Sequence, residues 1–197
     1  MKNILVITPM ASEMENMLQA LNNYANPLMN TYTIRRGYVG KVYAAAATAL
    51  ALEEEKFDLV AVIGYAAASK EFSTGDVVCP REARYHDSRV PEGLDGVSFL
   101  TNPYPLVGTD EATIYTGDSF VGKEMIEEIK GRFGTSRALF DMEATAVCQI
   151  AAQRGVPVVV MKMVSDTPEL GCDADSFERF VTEHTDFSAF VNILEKL

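Results

Sequence analysis

Apolar residues fall along this chain in two rhythms, and the alternation between them predicts its elements. Continuous apolar runs at residues 3–8, 59–64 and 156–164 read as strands covered on both faces. A further strand is predicted at 112–117. Residues 32–38 and 41–47 read as two strands joined by a turn at Gly40, and 75–79 as another that 82–87 continues. Helical spacing predicts helices over 14–21, with Ser12 as N-cap, and over 50–56, 123–131 and 143–154. A C-terminal helix is predicted over 176–197, broken near Asp186. Pro91, Pro103, Pro105 and several glycines mark 90–108 as loop. Strands alternating with helices imply an α/β protein with a mixed sheet and helices on both faces.

The chain has 197 residues, enough for one domain spanning 1–197 with a sizeable core. A net charge of -11 and a pI near 4.6 argue against a nucleic-acid backbone or an anionic membrane as partner. The three cysteines (Cys79, Cys148, Cys172) form no CxxC, and with only two histidines no metal site is expected. Cys148 lies on an apolar helical face and reads as core. An odd cysteine count points to a reducing compartment, and the short N-terminal apolar run is neither a signal peptide nor a membrane span, so a cytoplasmic location is expected.

Chemistry concentrates at three acids. The apolar segment ending at Asp141-Met142-Glu143 leads into an alanine-rich helix, and the strand over 156–164 runs into Ser165-Asp166. Glu13 opens a helix just after the first strand. Each has a plain structural explanation: Glu13 as a charge near a helix N-terminus, Asp166 as an N-cap before Pro168. All three, however, lie at or just after C-terminal strand ends, which gather on one edge of an open α/β sheet. Clustered acids with few basic neighbours suit a reaction that develops positive charge, such as cleavage of a glycosidic bond. No GxGxxG, P-loop or G-x-S-x-G motif is present.

The strings Ile7-Thr-Pro-Met10 with Glu13, Ile63-Gly-Tyr-Ala66, Gly75-Asp-Val-Val78 and Glu82-Ala-Arg-Tyr-His-Asp87 resemble the nucleoside phosphorylase superfamily. So do Thr116-Gly-Asp-Ser-Phe120, Met142-Glu-Ala-Thr-Ala146 and Val164-Ser-Asp166. Within the superfamily the resemblance is to the 5′-methylthioadenosine/S-adenosylhomocysteine nucleosidases. It implies a three-layer αβα sandwich around a central mixed sheet, and hydrolysis of a purine nucleoside's N-ribosidic bond without cofactor or metal. By resemblance Asp166 protonates the leaving purine, Ser165 holds its loop, and Glu13 activates water. Glu143 binds the ribose hydroxyls and Met142 packs on the sugar. Phe120 stacks on the base, the Val121 backbone bonds its edge, and Met10 and Phe177 line the 5′ pocket. A homodimer is implied as well.

Three departures from the family pattern stand out. Tyr65 puts a phenol where a serine is usual, near the reacting centre. Much of the helix before the central strand is missing, and Lys162 stands where an arginine is common. Alternatives are a hydrolase of another purine nucleoside such as futalosine, a purine nucleoside phosphorylase, and a nucleoside-binding protein without turnover. Arg84 belongs to a motif shared with the hydrolases, so hydrolysis is preferred over phosphorolysis.

Overall fold

The computed structural model describes residues 1–91, 94–171 and 174–197; Cys172 lies outside them. In chain order the elements are β1 (Asn3–Thr8), α1 (Ala11–Asn22), β2 (Thr31–Arg36), α2 (Lys41–Glu54) and β3 (Leu59–Ala68). Then come β4 (Val77–Val78), β5 (Pro80–Tyr85), α3 (Ser98–Thr101), β6 (Tyr104–Pro105) and β7 (Asp110–Thr116). The chain continues with α4 (Lys123–Phe133), β8 (Ala138–Asp141), α5 (Ala144–Gln153) and β9 (Val158–Asp166). A 3-10 turn at Pro168–Leu170 precedes α6 (Ala174–Glu183) and α7 (Ser188–Leu194).

Among the described residues the strands form one mixed sheet, in the order β2-β1-β3-β8-β7-β5-β6, with β9 paired to β3 and β4 to β9. Five of the pairings are parallel: β1 with β2 and β3, β3 with β9, and β7 with β5 and β8. Both faces are covered, and strand alternation sorts the core into two layers. Leu5, Ile7, Val60, Val62, Val158 and Val160 pack with Ala44 and Ala51 of α2 and Val147 and Ala151 of α5. Their neighbours Ile4, Val6, Ala61, Ile63, Val159 and Met161 pack against Met17 of α1, Phe180 of α6 and Phe190 and Leu194 of α7. This is the three-layer α/β/α arrangement, and the unbroken apolar runs arise because every side chain of a central strand meets one layer or the other.

Several expectations need correction. Residues 41–47 are not a strand: they begin α2, which runs on through the helix expected over 50–56. The alanines favour helix, and the buried positions Ala44, Thr48 and Ala51 recur at helical spacing. Gly40 is the N-cap of α2, at φ +100°, rather than a hairpin turn. The helix before the central strand is therefore longer than expected, at 14 residues. The first helix starts at Ala11, with Met10 rather than Ser12 as N-cap. The 90–108 segment carries α3 and β6, and the segment before Asp141 forms β8; the C-terminal helix breaks near Asp186 as expected, into two helices separated by 184–187.

Candidate active site

One apolar cavity of about 130 Å³ opens where β1, β3, β8 and β9 end, and it gathers nearly every residue nominated from the sequence. Met10, Glu13, Tyr65, Phe120, Val121, Met142, Glu143, Asp166 and Phe177 all line it, together with Pro9, Val39, Ala66, Ala67 and Asp141. Ser165 is buried behind it.

Glu13 is 2% exposed and held by backbone donors. The Met10 N–H donates to Oε2 at 2.7 Å, and the Tyr65 N–H to Oε1 at 2.9 Å. The sequence allows this because position 64 is glycine: a β-carbon there would lie 2.2 Å from Oε1 of Glu13. Burial pushes the carboxyl above its ordinary pKa, while the positive charge of Lys162 and the two N–H donors oppose the rise.

Asp166 ends β9. The pairing of β3 with β9 slips there, Ala66 facing Val164 but Ala67 facing Asp166, so Ser165 is an extra residue. A bulge of this kind re-aims the next side chain, here into the cavity. The Ser165 hydroxyl lies 3.1 Å from the Ala66 carbonyl and 2.5 Å from Oδ1 of Asp166. It has one proton for the two acceptors. It can donate to an ionised Asp166, or accept from a protonated Asp166 while donating to Ala66. Burial raises the Asp166 pKa and the Ser165 hydrogen bond opposes it, so the site favours the acid form more than water does.

Glu143 sits at the head of α5, and its Oε1 accepts the Gly40 N–H at the head of α2 at 2.8 Å. Burial first, and then the negative charge of Asp141, push its carboxyl up to about 7, against the pull of Lys162. Asp141 is itself fully engaged. The Thr116 hydroxyl donates to Oδ1 at 2.6 Å, the Ala144 N–H donates to Oδ2 at 3.0 Å, and Lys162 Nζ lies 3.0 Å from Oδ2.

The Asp141–Lys162 ion pair was not read from the sequence. The available signal was a lysine inside an unbroken apolar strand, a setting lysine occupies only when paired. Lys162 is 0% exposed.

Tyr65 lines the cavity beside Glu13, and its phenol is held by the protein. Its ring packs edge-on against Phe180 and Phe187, and its hydroxyl donates to the His184 carbonyl at 2.6 Å and accepts from Asn16 Nδ2 at 3.2 Å. At the mouth, Phe120, largely exposed, meets the Phe177 ring edge-on at 6.0 Å. The Glu82–Asp87 string serves as scaffold: Asp87 lies 2.6 Å from Lys41 Nζ and accepts the Asp118 N–H, fixing the start of α2 beside the Phe120 loop. Arg84 pairs with Glu82 at 2.6 Å and does not line the cavity.

Comparison with known proteins first gives a class. A model of the phosphorylase superfamily matches residues 107–192. Two curated nucleosidases then narrow it. The 5′-methylthioadenosine/S-adenosylhomocysteine nucleosidase of Staphylococcus aureus (strain MRSA252) is 32% identical over 170 residues, covering 75% of this chain and 73% of that protein. The enzyme of the same name from Haemophilus influenzae (strain PittEE) is 32% identical over 164 residues, covering 73% and 71%. The structure of the Neisseria meningitidis nucleosidase in complex with methylthio-immucillin-A superposes with a TM-score of 0.80 at 25% identity, covering the whole of both chains. The chain belongs to the 5′-methylthioadenosine/S-adenosylhomocysteine nucleosidase family, a family of N-glycosyl hydrolases.

Proposed function

We propose that this protein hydrolyses the N-ribosidic bond of a 5′-methylthioadenosine-like or S-adenosylhomocysteine-like nucleoside and releases adenine. The observation that carries this reading is the convergence of Glu13, Glu143 and Asp166 on one apolar cavity. A ribosyl centre losing its base acquires positive charge, and buried carboxylates stabilise it more strongly than water would.

The roles follow from the surroundings of each acid. Asp166, whose burial favours the protonated form, gives its proton to a ring nitrogen of the departing purine as the C1′–N bond breaks toward the base. Glu13, whose two N–H donors favour its ionised form against burial, takes a proton from the water that attacks C1′. Glu143 accepts from the ribose hydroxyls and Met142 packs on the sugar. Phe120 stacks on the base, whose edge the Val121 backbone bonds. Met10 and Phe177 flank the 5′ substituent. Ser165 passes its single proton between Ala66 and Asp166 as the acid changes state.

Hydrolysis is favoured over phosphorolysis. The cavity's described lining includes three acids of the proposed mechanism and no lysine or arginine, and Arg84 is committed to Glu82, so a phosphate dianion would meet carboxyl groups with no lining cation to hold it. The test is adenine release from 5′-methylthioadenosine by the purified protein, with and without phosphate. Release without phosphate is expected. Strictly phosphate-dependent release would overturn the hydrolytic reading, and tight binding with no release would overturn turnover itself.

We also infer a homodimer in a reducing compartment such as the cytoplasm. Val42, Tyr43 and Leu50 leave one face of α2 apolar and exposed beside Tyr38 and Val39, the kind of patch a second copy covers. Cys79 and Cys148 are free and buried. A monomer by sedimentation at micromolar concentration would remove the dimer.

A further inference from the structure

The cavity has acids on one side and no polar grip on the other. Met10 and Phe177 offer no hydrogen-bond donor, and Phe120 meets Phe177 edge-on with ring centres 6.0 Å apart. The polar side chains of the described lining are four carboxyl groups, Tyr65 and Ser119. The Tyr65 hydroxyl gives its proton to the His184 carbonyl at 2.6 Å, and the Ser119 hydroxyl faces Met125 Sδ at 4.0 Å. The carboxyl groups, when ionised, offer acceptors only. Cations close by in the chain are placed or engaged elsewhere. Lys41 follows Val39 by two residues, but its Nζ is shared by Asp87 at 2.6 Å and Asp118 at 3.3 Å. Arg179 follows Phe177 by two residues on α6, and residues two apart on a helix do not share a face. Lys123 opens α4 two residues after Val121, the residue assigned to the base.

We propose that this cavity selects nucleosides whose 5′ substituent is uncharged and discriminates against those that carry an amino-acid tail there. The proposal rests on the nucleosidase reading, with Met10 and Phe177 flanking the 5′ substituent. The family's name covers substrates of both kinds, whereas this chain's lining suits one. An alkylthio group laid against Met10 and Phe177 loses little hydration and gains dispersion contacts. A tail carboxylate against the same walls gives up hydrogen bonds to water that no side-chain donor replaces. Charge sharpens the difference, because a chain of net charge -11 with ionisable acids in the lining repels an anion. The tail's ammonium does not rescue it. It sits on the same carbon as the carboxylate, so it reaches an acid only by bringing the carboxylate along.

The test compares kcat/KM for 5′-methylthioadenosine, its 5′-butylthio analogue and S-adenosylhomocysteine on the purified protein. The butylthio nucleoside, long but uncharged, is expected within about tenfold of the methylthio one, and S-adenosylhomocysteine lower by about 100-fold or more. S-adenosylhomocysteine within about tenfold of 5′-methylthioadenosine overturns the proposal. So does a butylthio nucleoside that falls as far as S-adenosylhomocysteine, since length rather than charge then decides. Phe177→Ala lets water reach the tail and is expected to cut the preference for methylthio over homocysteine by about tenfold. That preference is a ratio within one protein, so it does not depend on how much of the variant is folded, and an unchanged ratio overturns the apolar wall as its cause. If no adenine is released from any of the three, the nucleosidase reading fails instead. Calorimetry with the same three intact ligands then decides on the selectivity: the same order of affinities upholds it, and equal affinities overturn it.

Discussion

Gly64 lies so close to Glu13 that a β-carbon on the glycine would sit 2.2 Å from the carboxylate oxygen Oε1. Carboxylate and strand share one van der Waals shell, and the next residue's N–H completes the grip at 2.9 Å. The side chain of Glu13 is thus aimed by the absence of another side chain. Gly64→Ala should displace the carboxylate by the better part of an ångström. Misplacement on that scale costs on the order of 100-fold in kcat/KM, with a stability loss of about 1–3 kcal/mol from overpacking. Steady-state kinetics and urea unfolding measure the two. Parent-like kinetics in Gly64→Ala would mean that Glu13 need not be held where it is.

Asp166→Asn keeps the shape of the site and removes its proposed acid. Turnover of 5′-methylthioadenosine should fall by roughly 10²–10⁴-fold, while adenine binding by calorimetry changes little. Retained turnover would show that another group protonates the base.

Glu143 carries a sign that can be checked without substrate. Its pKa is raised in the folded protein to about 7 from an ordinary 4.5. Its contribution to stability is therefore fully present below pH 4.5 and is lost as pH rises through about 7. The loss amounts to about 3 kcal/mol if the other groups of the cluster hold still. Glu143→Gln removes that titration. It should unfold at higher urea than the parent at pH 8, while its KM rises and kcat falls, together costing about 10–100-fold. Equal stability of the two proteins at pH 8 would count against the raised pKa.

Tyr65→Phe separates structure from chemistry. The hydroxyl is tied to the His184 carbonyl and to Asn16 rather than to any of the three acids, so its removal should cost about 1–2 kcal/mol of stability. kcat/KM should stay within about threefold. A large kinetic defect in a well-folded Tyr65→Phe protein would give the phenol a part in the reaction.

Much of this arrangement is legible in the sequence, for a physical reason. Strands covered on both faces must be apolar throughout, so 3–8, 59–64 and 156–164 declare themselves, and an acid at such an end has no packing role to hide in. α2 was obscured because Val42 and Tyr43, after Gly40, imitate a hairpin strand; the burial of Ala44, Thr48 and Ala51 shows the helix only once packing is known. The partners of the acids were hidden for another reason. Asp141 and Lys162 lie on strands that are not neighbours in the sheet, and the contact between them depends on how far each strand runs before it ends. The setting of Tyr65 was hidden likewise: residue type says what could touch a substrate, whereas Phe180, Phe187 and His184, far along the chain, decide where the ring goes.

The slip beside Ser165 has a consequence for how such a protein can change. Upstream of it, β9 keeps step with β3 and its alternation belongs to the core; one extra residue later, Asp166 answers to the cavity. The aim of the acid is thus set by a count of residues rather than by any one contact. Substitutions along Val158–Val164 can retune the packing without turning the carboxylate. Loss of a single codon at position 165 would swing it to a new heading with every other side chain intact.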